Sequence, residues 1–244
     1  MYGLIGKKIN HSFSANYFNK KFKDEGIDEV YELFPLPSIE EFPALLESHP
    51  DLKGLNVTIP YKQEVIKYLD GLSEECRQIG AVNVIKFNRK DDKLTLIGYN
   101  SDYIGFKDSL IPLITKDIKN ALVLGTGGAS KAVCYVLETL GINYKLVSRD
   151  PSKGDLTYSQ LDKEIIENNL LIVNTTPLGM FPEIDSFPPI PYQFLTPRHV
   201  CYDLVYNPME TKFMKLSQAH GSKVKNGLEM LHLQAVGAWE IWNK

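Results

Sequence analysis

The chain has 244 residues, of which 43% are hydrophobic and 23% charged, and its formal net charge is −3. This composition predicts a globular protein with one large core or two smaller ones. Basic and acidic residues are interspersed and no apolar stretch reaches the ~18 residues of a membrane span, so we expect neither a nucleic acid nor a membrane as a partner. The first residues do not resemble a secretory signal, which predicts a cytoplasmic location.

The cysteines do not form a recognisable pattern. Cys76, Cys134 and Cys201 are far apart in the sequence and have no histidine nearby. Such spacing argues against a disulfide framework or a metal site, so we predict three reduced core residues and no bound metal.

Strand-like and helical patterns alternate through the first hundred residues. Val30 to Phe34 and Leu55 to Ile59 are predicted strands, and a helix with capping-box spacing begins at Ser38. This alternation is typical of α/β layers with a mostly parallel sheet. Two apolar runs, Val82 to Phe87 and Leu94 to Ile97, flank the polar turn 88–93 and predict an antiparallel hairpin.

A second set of elements follows a predicted domain boundary near residue 103. Helical spacing resumes from Tyr103 to Ile114, and a new strand follows from Ala121 to Leu124. The Pro-rich stretch 187–191 has neither helical nor strand periodicity and is predicted to be an ordered surface loop.

A glycine turn follows the strand that ends at Leu124. A helical run to Leu140, a helix stop at Gly141 and a second strand from Tyr144 to Val147 complete a β-turn-α-β unit. Glycines at such a turn let the backbone approach a pyrophosphate, which the N–H groups and dipole of the helix N-terminus can hold. The predicted dinucleotide-binding turn comprises Gly125, Thr126, Gly127, Gly128 and Ala129, with Ser130 at the third glycine position.

The residues after the second strand bear on the choice of dinucleotide. Arg149 and Lys153, which follow Ser148, could hold the 2′-phosphate of NADP, Arg through its planar fork and Lys as a point charge. Asp150 instead fits the free ribose hydroxyl of NAD. The pattern favours NADP and leaves NAD open as a secondary cofactor.

Short polar side chains cluster at predicted strand ends in the first hundred residues. Several lie two positions apart, which places both side chains on one face of an extended chain. Taken singly, Ser14 could cap the helix through Phe18 and Phe22, and the asparagines could form turns. Taken together, they suit a hydroxylated acid as ligand. The set comprises Ser12, Ser14, Asn56, Thr58, Asn83, Asn100 and Asp102.

Two ionisable residues within this region are candidates for acid/base chemistry. Lys62 follows Ile59-Pro60-Tyr61, and Asp102 ends the run Asn100-Ser101-Asp102. Hydride reduction of a ketone leaves a developing alkoxide that needs a proton or a cation beside it. The sequence does not divide the two roles between Lys62 and Asp102.

Ordered motifs along the whole chain resemble those of the shikimate dehydrogenase family. The cofactor turn is one of them. The others are Asn10-His11-Ser12-Phe13-Ser14, Leu55 to Lys62, Gly80-Ala81-Val82-Asn83, Gly98 to Gly105, Asn174 to Met180, Asp203 to Pro208, and Asn226 to Leu231 with Gln234-Ala235.

This resemblance implies reversible, NADPH-dependent reduction of 3-dehydroshikimate to shikimate, a step towards chorismate and the aromatic amino acids. Lys62 and Asp102 match the catalytic pair. The substrate would contact Ser12, Ser14, Asn56, Thr58, Asn83, Tyr206 and Gln234. The cofactor would contact the glycine turn, Ser148, Arg149, Lys153, Thr176 on its adenosine side, and Gly227 and Met230 at the nicotinamide.

The resemblance also implies a domain arrangement. Residues 1–103 would form a substrate-binding domain, completed by a C-terminal helix at about 227–244, and residues 104–226 a Rossmann-type NADP-binding domain, with the active site in the cleft between them. Gly227, Met230 and Gln234 share one face of that helix, while the neighbouring stripe of Leu228, Leu231, Ala235, Ala238, Trp239 and Trp242 is predicted core. We expect a monomer or homodimer whose partner is a small molecule.

Two alternatives remain open from the sequence. Asp150 after Arg149 resembles quinate/shikimate dehydrogenases with relaxed use of NAD and NADP. A non-catalytic metabolite sensor could use the same fold, because fold does not fix function.

Overall fold

The computed structural model describes residues 1–9, 12–91 and 93–244. Contacts within the chain divide it into two compact units. Unit 1 comprises Met1–Ser101 with Gln234–Lys244, and unit 2 comprises Asp102–Leu233. Each unit contains a six-stranded sheet, and parallel pairings predominate, which confirms the predicted α/β class.

Unit 1 is built on a mixed sheet. Its strands are β1 (Tyr2–Gly6), β2 (Tyr31–Pro35), β3 (Gly54–Val57), β4 (Gly71–Leu72), β5 (Val84–Lys90) and β6 (Lys93–Tyr99), in the order β2-β1-β3-β5-β6-β4. Strand β1 is parallel to β2 and β3, whereas β5 is antiparallel to both β3 and β6. The helices are α1 (Phe13–Glu25), α2 (Phe42–Ser48) and α3 (Glu74–Ile79).

The predicted hairpin forms, but its turn is shorter than the polar stretch suggested. Strand β5 continues to Lys90, because Asn88 and Arg89 pair with Thr95 and Leu94 on β6. The Arg89 guanidinium also donates to the carbonyls of Leu52 and Pro50, which holds the strand end to the body of unit 1. Cross-strand pairing therefore overrides the local turn propensity of these polar residues. Asp92 lies outside the described residues.

Two predicted helix caps differ from the structure. The N-cap of α1 is Ser12, whose Oγ accepts from the backbone N–H of Ser14, so Ser14 lies inside the helix. The predicted capping box at Ser38 is wrong, because the hydroxyl of Ser38 bonds to the Glu40 carboxylate instead of capping a backbone N–H. A 3₁₀ turn at Ile39–Glu41 precedes α2 there.

Unit 2 is a doubly wound parallel sheet. Its strands are β7 (Asn120–Leu124), β8 (Asn143–Ser148), β9 (Leu156–Thr157), β10 (Leu171–Asn174), β11 (Val200–Asp203) and β12 (Lys223–Lys225), in the order β12-β11-β10-β7-β8-β9. The helices are α4 (Asp102–Leu110), α5 (Gly128–Thr139), α6 (Lys163–Asn168), α7 (Lys212–Ala219) and the start of α8 (Leu228–Asn243). This is the Rossmann strand order, in which ligands bind beyond the carboxyl ends of the strands where the order reverses.

Alternating side chains of β7 explain why helices cover both faces of that sheet. Ala121 and Val123 join one buried cluster, and Leu122 and Leu124 join another on the opposite face. The Pro-rich stretch 187–191 is neither helix nor strand, as predicted, although Ile190 is buried in the second cluster.

The last turns of α8 complete the core of unit 1. Ala235, Ala238 and Trp242 are buried in one cluster with Tyr2 and Phe18. The indole N–H of Trp242 donates to the Ile85 carbonyl at 3.1 Å. A Cβ at Gly54 would collide with this indole, so the strand needs glycine at that position.

All three cysteines are buried, and none is in a disulfide in the part of the chain that the structure describes. Burial raises the pKa of Cys76 to about 12 and that of Cys134 to about 11, so both thiols stay protonated. Among the helices of the described ranges, none is long and apolar enough to cross a membrane.

Candidate active site

The predicted polar residues of unit 1 meet at one edge of its sheet. Asn56 lies on β3 opposite Val84, which in turn pairs with Tyr99 of β6. Asn83 directly precedes Val84, and Asn100 directly follows Tyr99. Because β5 runs antiparallel to its neighbours, its start and the ends of β3 and β6 fall at the same edge.

A hydrogen-bond network fixes these side chains. Tyr31 donates from its hydroxyl to Asn56 Oδ1 at 2.7 Å, and Asn56 Nδ2 donates to the Asn83 carbonyl at 3.1 Å. Asn83 Oδ1 accepts from the backbone N–H of Ser101 at 2.6 Å, while its Nδ2 donates to the Ser101 hydroxyl at 3.1 Å. Both amide groups thus have a defined orientation before any ligand binds.

Ser12 and Ser14 lie at the start of α1 and are half-buried. Burial raises the pKa of Tyr31, and a hydrogen bond with the Ser14 side chain opposes part of that rise. Ser14 therefore lies near the Tyr31 hydroxyl that holds Asn56. Asn10 and His11, which begin the same motif, lie outside the described residues.

Thr58 and Lys62 follow the carboxyl end of β3. A Cβ built on Gly6 would lie 2.5 Å from the Thr58 methyl group, so a side chain at position 6 would collide with Thr58. The Lys62 carbonyl accepts from the backbone N–H of Val82 at 2.7 Å, next to Asn83. Lys62 is half-buried and has interactions of its own.

The other two predicted residues of this set lie on helices. Asp102 is the first residue of α4 in unit 2, is 4% exposed and is held by interactions of its own. Gln234 is half-buried on α8 and is assigned to unit 1.

The glycine turn of unit 2 lies at the carboxyl end of β7, where the strand order reverses. Gly125 has a φ of +105° and donates to the Val147 carbonyl at 2.8 Å. A Cβ on Gly125 would lie 2.9 Å from both Thr175 Oγ1 and Thr176 Cγ2, so glycine is needed here for the fold itself. Ser130, at the third glycine position, is buried and donates to the Gly127 carbonyl at 2.7 Å.

Gly127 and Gly128 are glycines for a different reason. Neither has a positive φ. Among the described residues, apart from the adjacent residues and the backbone of the same helix, no atom lies within 4 Å of a Cβ built on either glycine. Gly127 is the N-cap of α5, and in the described part of the chain no side chain caps that helix end. Open space, bare N–H groups and the helix dipole fit an anionic group bound against the turn, which is the requirement for a dinucleotide pyrophosphate. Thr126 and Ala129 flank the two glycines and are partly exposed.

The residues after β8 include an exposed arginine and an aspartate whose carboxylate is bound by neighbouring residues of the same loop. Arg149 is exposed, and Ser148 is buried with its Oγ accepting from the backbone N–H of Asp150 at 3.1 Å. Asp150 Oδ1 accepts from the N–H and hydroxyl of Ser152, and its Oδ2 lies 3.6 Å from Lys153 Nζ. The hydrogen bonds from Ser152 hold the pKa of Asp150 below its usual range. The Asp150 carboxylate is thus occupied within its own loop.

The ends of β10 and β11 carry further predicted residues. Thr176 follows β10 next to the glycine turn, and Tyr206 follows β11 and is 38% exposed. Gly227 donates to the Val205 carbonyl at 3.1 Å, and a Cβ there would collide with the Leu204 carbonyl. Met230 is buried in the apolar core of unit 2.

Two buried polar residues of these regions were not predicted as site residues. Tyr31 holds Asn56, but a tyrosine in a strand is indistinguishable from core in the sequence. Asp203 accepts hydrogen bonds from Asn174, Val205 and Thr211, and burial raises its pKa to about 6. In the sequence, the only signal for Asp203 is its place at the start of the family motif Asp203 to Pro208.

Comparison with known proteins shows to which family this chain belongs. Residues 4–85 match the model of the shikimate dehydrogenase substrate binding domain. A Clostridium beijerinckii protein named shikimate dehydrogenase (NADP(+)) is 41% identical over 100% of this chain and 92% of its own length.

Solved structures agree with this result. Shikimate 5-dehydrogenase from Thermus thermophilus, in complex with NADP(H) and shikimate, has a TM-score of 0.85 and 29% identity, covering 99% of this chain and 92% of that one. Quinate dehydrogenase from Corynebacterium glutamicum, in complex with NAD, has a TM-score of 0.87 and 27% identity with the same coverage. Full-length identity, the matched domain model and the fold together place this chain in the shikimate dehydrogenase family.

Proposed function

We propose that this chain is an NADP-dependent oxidoreductase that interconverts 3-dehydroshikimate and shikimate. The observation that carries the proposal is the preset polar network Tyr31–Asn56–Asn83–Ser101 beside Lys62 in unit 1. Oriented amide and hydroxyl groups suit a ring with several hydroxyls, and a substrate without them would leave buried polar groups unpaired. Ser12, Ser14, Thr58, Tyr206 and Gln234 complete the proposed substrate contacts.

NADP is the cofactor that the residues of unit 2 fit. The glycine turn Gly125–Ala129 and the bare start of α5 would hold the pyrophosphate, with Thr176 on the adenosine side and Gly227 and Met230 at the nicotinamide. Arg149 and Lys153 would bind the 2′-phosphate, because the carboxylate between them is satisfied by Ser152. NAD is a secondary cofactor in this proposal.

The chemistry assigned to the chain itself is proton transfer and orientation. NADPH, when bound, supplies a hydride to the ketone carbon. The ketone oxygen gains negative charge as the hydride arrives, and we assign Lys62 and Asp102 as the acid/base pair that supplies its proton and takes it back in the reverse direction. Asn56 and Asn83 orient the ring, so that the reacting carbon has one position.

An activity assay tests this proposal directly. Purified protein with shikimate and NADP⁺ should produce NADPH, followed by its absorbance, and NAD⁺ should be used less efficiently. No reduction of either cofactor would overturn the proposal. Tight shikimate binding without turnover would instead identify a metabolite sensor.

A quinate/shikimate dehydrogenase is the second candidate, and Asp150 is the observation that favours it. The same assay with quinate in place of shikimate separates the two. Comparable kcat/KM for quinate and shikimate would establish the second candidate, whereas a strong preference for shikimate supports the first.

Tyr31→Phe should weaken substrate binding without affecting the cofactor. The variant removes the donor to Asn56 Oδ1, and we expect the KM for shikimate to rise roughly 2- to 13-fold, since one buried hydrogen bond contributes about 0.5–1.5 kcal/mol. The KM for NADP⁺ should stay unchanged. Tyr2→Phe is the matched control, because it removes a hydroxyl from the same aromatic cluster. An unchanged shikimate KM in Tyr31→Phe would contradict the role given to Asn56.

Gly127→Ala should weaken cofactor binding while leaving the fold intact. The added methyl group meets only open space in the protein but would occupy the space assigned to the pyrophosphate. We expect the KM for NADP⁺ to rise about tenfold or more, with stability changed by less than about 1 kcal/mol. Gly141→Ala is the control, because it should lower stability and leave cofactor binding unchanged.

Gly141 lies beyond the other end of α5 with a φ of +67°. Its substitution should lower the melting temperature, because a side chain is strained at that φ, and should leave the KM for NADP⁺ unchanged. Equal effects of both variants on the KM would argue against a cofactor site at the turn.

A cytoplasmic location and a monomer or homodimer complete the proposal. Both stay predictions, and cell fractionation and analytical ultracentrifugation would test them.

A further inference from the structure

Asp203 is a charged side chain buried completely at the end of β11. Its Oδ1 accepts from Asn174 Nδ2 at 2.9 Å and from the backbone N–H of Val205 at 3.0 Å. Its Oδ2 accepts from the Thr211 hydroxyl at 2.6 Å. A carboxylate in such a place is costly unless it is hydrogen-bonded, so its three donors define where it must lie.

Through Asn174, this carboxylate orients the loop after β10. A carboxylate only accepts hydrogen bonds, so the Nδ2 of Asn174 must face Asp203 and the Oδ1 must face away. That oxygen accepts from the backbone N–H of Thr176 at 3.0 Å and from the Thr176 hydroxyl at 2.6 Å. The position of Thr176 therefore depends on Asp203 through one intervening amide.

The same carboxylate closes the loop after β11 at both ends. Val205 is the second residue of this loop, and Thr211 ends the loop as the N-cap of α7, accepting from the Met214 N–H. Tyr206 lies between the two anchored residues.

The segment before α8 rests on the start of that loop. Gly227 donates to the Val205 carbonyl at 3.1 Å, and its lack of a side chain lets it approach the Leu204 carbonyl closely. Asp203 thus supports the two strand-end loops and, through Val205, the segment with Gly227.

We propose that Asp203 is a positioning residue that sets three ligand-binding segments, carrying Thr176, Tyr206 and Gly227, relative to one another. This inference rests on the proposed function, in which Thr176 and Gly227 contact the cofactor and Tyr206 contacts the substrate. One carboxylate without ligand contact then governs the binding of both ligands.

Asp203→Asn tests the inference with little change in volume. The amide has one acceptor where the carboxylate has two, and its NH₂ group faces either the Thr211 hydroxyl or the donors from Asn174 and Val205. We expect kcat/KM to fall about 10- to 100-fold through displaced binding groups, with the KM for both NADP⁺ and shikimate raised. The Kd for NADP⁺, measured by calorimetry without substrate, should rise in parallel.

Tyr202→Phe is the matched control for stability. Tyr202 is fully buried on the same strand, and its hydroxyl bonds to Ser109 Oγ at 2.7 Å, on a helix rather than on a ligand-binding loop. This variant should melt at a lower temperature and keep the wild-type KM and Kd values. Wild-type KM and Kd values in Asp203→Asn would overturn the inference. A wild-type protein that does not reduce NADP⁺ would instead refute the proposed function.

A second pair of variants decides the matter if Asp203→Asn does not fold. Thr211→Val removes one of the three donors, and Thr211→Ser retains it. The KM for shikimate should rise in Thr211→Val and return towards the wild-type value in Thr211→Ser. Equal KM values in the two variants would overturn the inference.

Discussion

Lys62→Ala is expected to lower kcat for shikimate oxidation by about 10²- to 10⁴-fold, which is the usual contribution of a positioned acid or base. The loss should appear in kcat more than in the KM for either ligand, because the proton is transferred in the transition state. Lys62→Arg should restore little activity, since a guanidinium keeps its proton under all ordinary conditions.

The backbone around Lys62 supports this expectation. Tyr61 beside it is buried and donates to the Leu36 carbonyl at 2.6 Å, and the Lys62 carbonyl accepts from the Val82 N–H. Both ends of the dipeptide are therefore anchored to unit 1. A backbone held in this way fixes where the lysine side chain starts, which supports the positioning that catalysis by proximity requires.

Lys67→Ala is the control for this experiment. Lys67 lies five residues later in a 3₁₀ turn, is exposed and pairs with Glu40 at 3.2 Å. An exposed ion pair contributes little, so kcat should be close to that of the wild type. Initial rates across a range of both ligands give the comparison, and near-wild-type turnover in Lys62→Ala would remove Lys62 from the mechanism.

Arg149→Leu is expected to reduce kcat/KM for NADP⁺ by about 10²-fold, because it would remove the charge-assisted hydrogen bonds that we propose Arg149 makes to the 2′-phosphate. The value for NAD⁺, which lacks that phosphate, should hardly change. The preference of the enzyme would therefore move towards NAD⁺ through the loss of one side chain.

The loop after β8 predicts that Arg149 contributes more than Lys153. The Lys153 ammonium lies 3.6 Å from the Asp150 carboxylate, which offsets part of its charge. Lys153→Ala should therefore cause a smaller loss with NADP⁺ than Arg149→Leu.

Arg198→Leu is the matched control, since Arg198 is an exposed arginine of unit 2 that pairs with Asp117 at 3.5 Å. It should leave the kinetics with both cofactors unchanged. Equal losses with NADP⁺ and NAD⁺ in Arg149→Leu would contradict phosphate recognition by this residue.

Elements with strong local signals were predictable from the sequence. The strand, glycine turn and helix from residue 120 to 139 follow the predicted order, and Gly141, the predicted helix stop, directly follows the C-cap Leu140. The predicted length of the turn at 88–93 was wrong, because residues 88–90 pair with the neighbouring strand β6 and so continue β5. The capping box predicted at Ser38 was wrong because the serine hydroxyl donates to the nearby Glu40 carboxylate and does not accept from a backbone N–H.

In the candidate site, the sequence predicted the residues that would touch a ligand but not the buried residues that hold them in place. Side chains that would touch a ligand, such as Asn56 and Asn83, are short polar groups at strand ends and can be recognised by spacing. Tyr31 and Asp203 act through contacts with residues 25 and 29 positions away, Asn56 and Asn174. No local pattern encodes such a pairing, because it exists only after the sheet of each unit has formed.

The burial of Trp242 and Ala238 in unit 1 also bears on the order of synthesis. Residues 102–233 leave the ribosome before residues 234–244, although the latter belong to the same core as Tyr2 and Phe18. Before its last eleven residues have been synthesised, unit 1 therefore keeps an open hydrophobic face, whereas unit 2 contains none of those residues. During that interval the nascent chain exposes the aromatic surface that Trp242 will cover, and it is then that a chaperone would have most to bind.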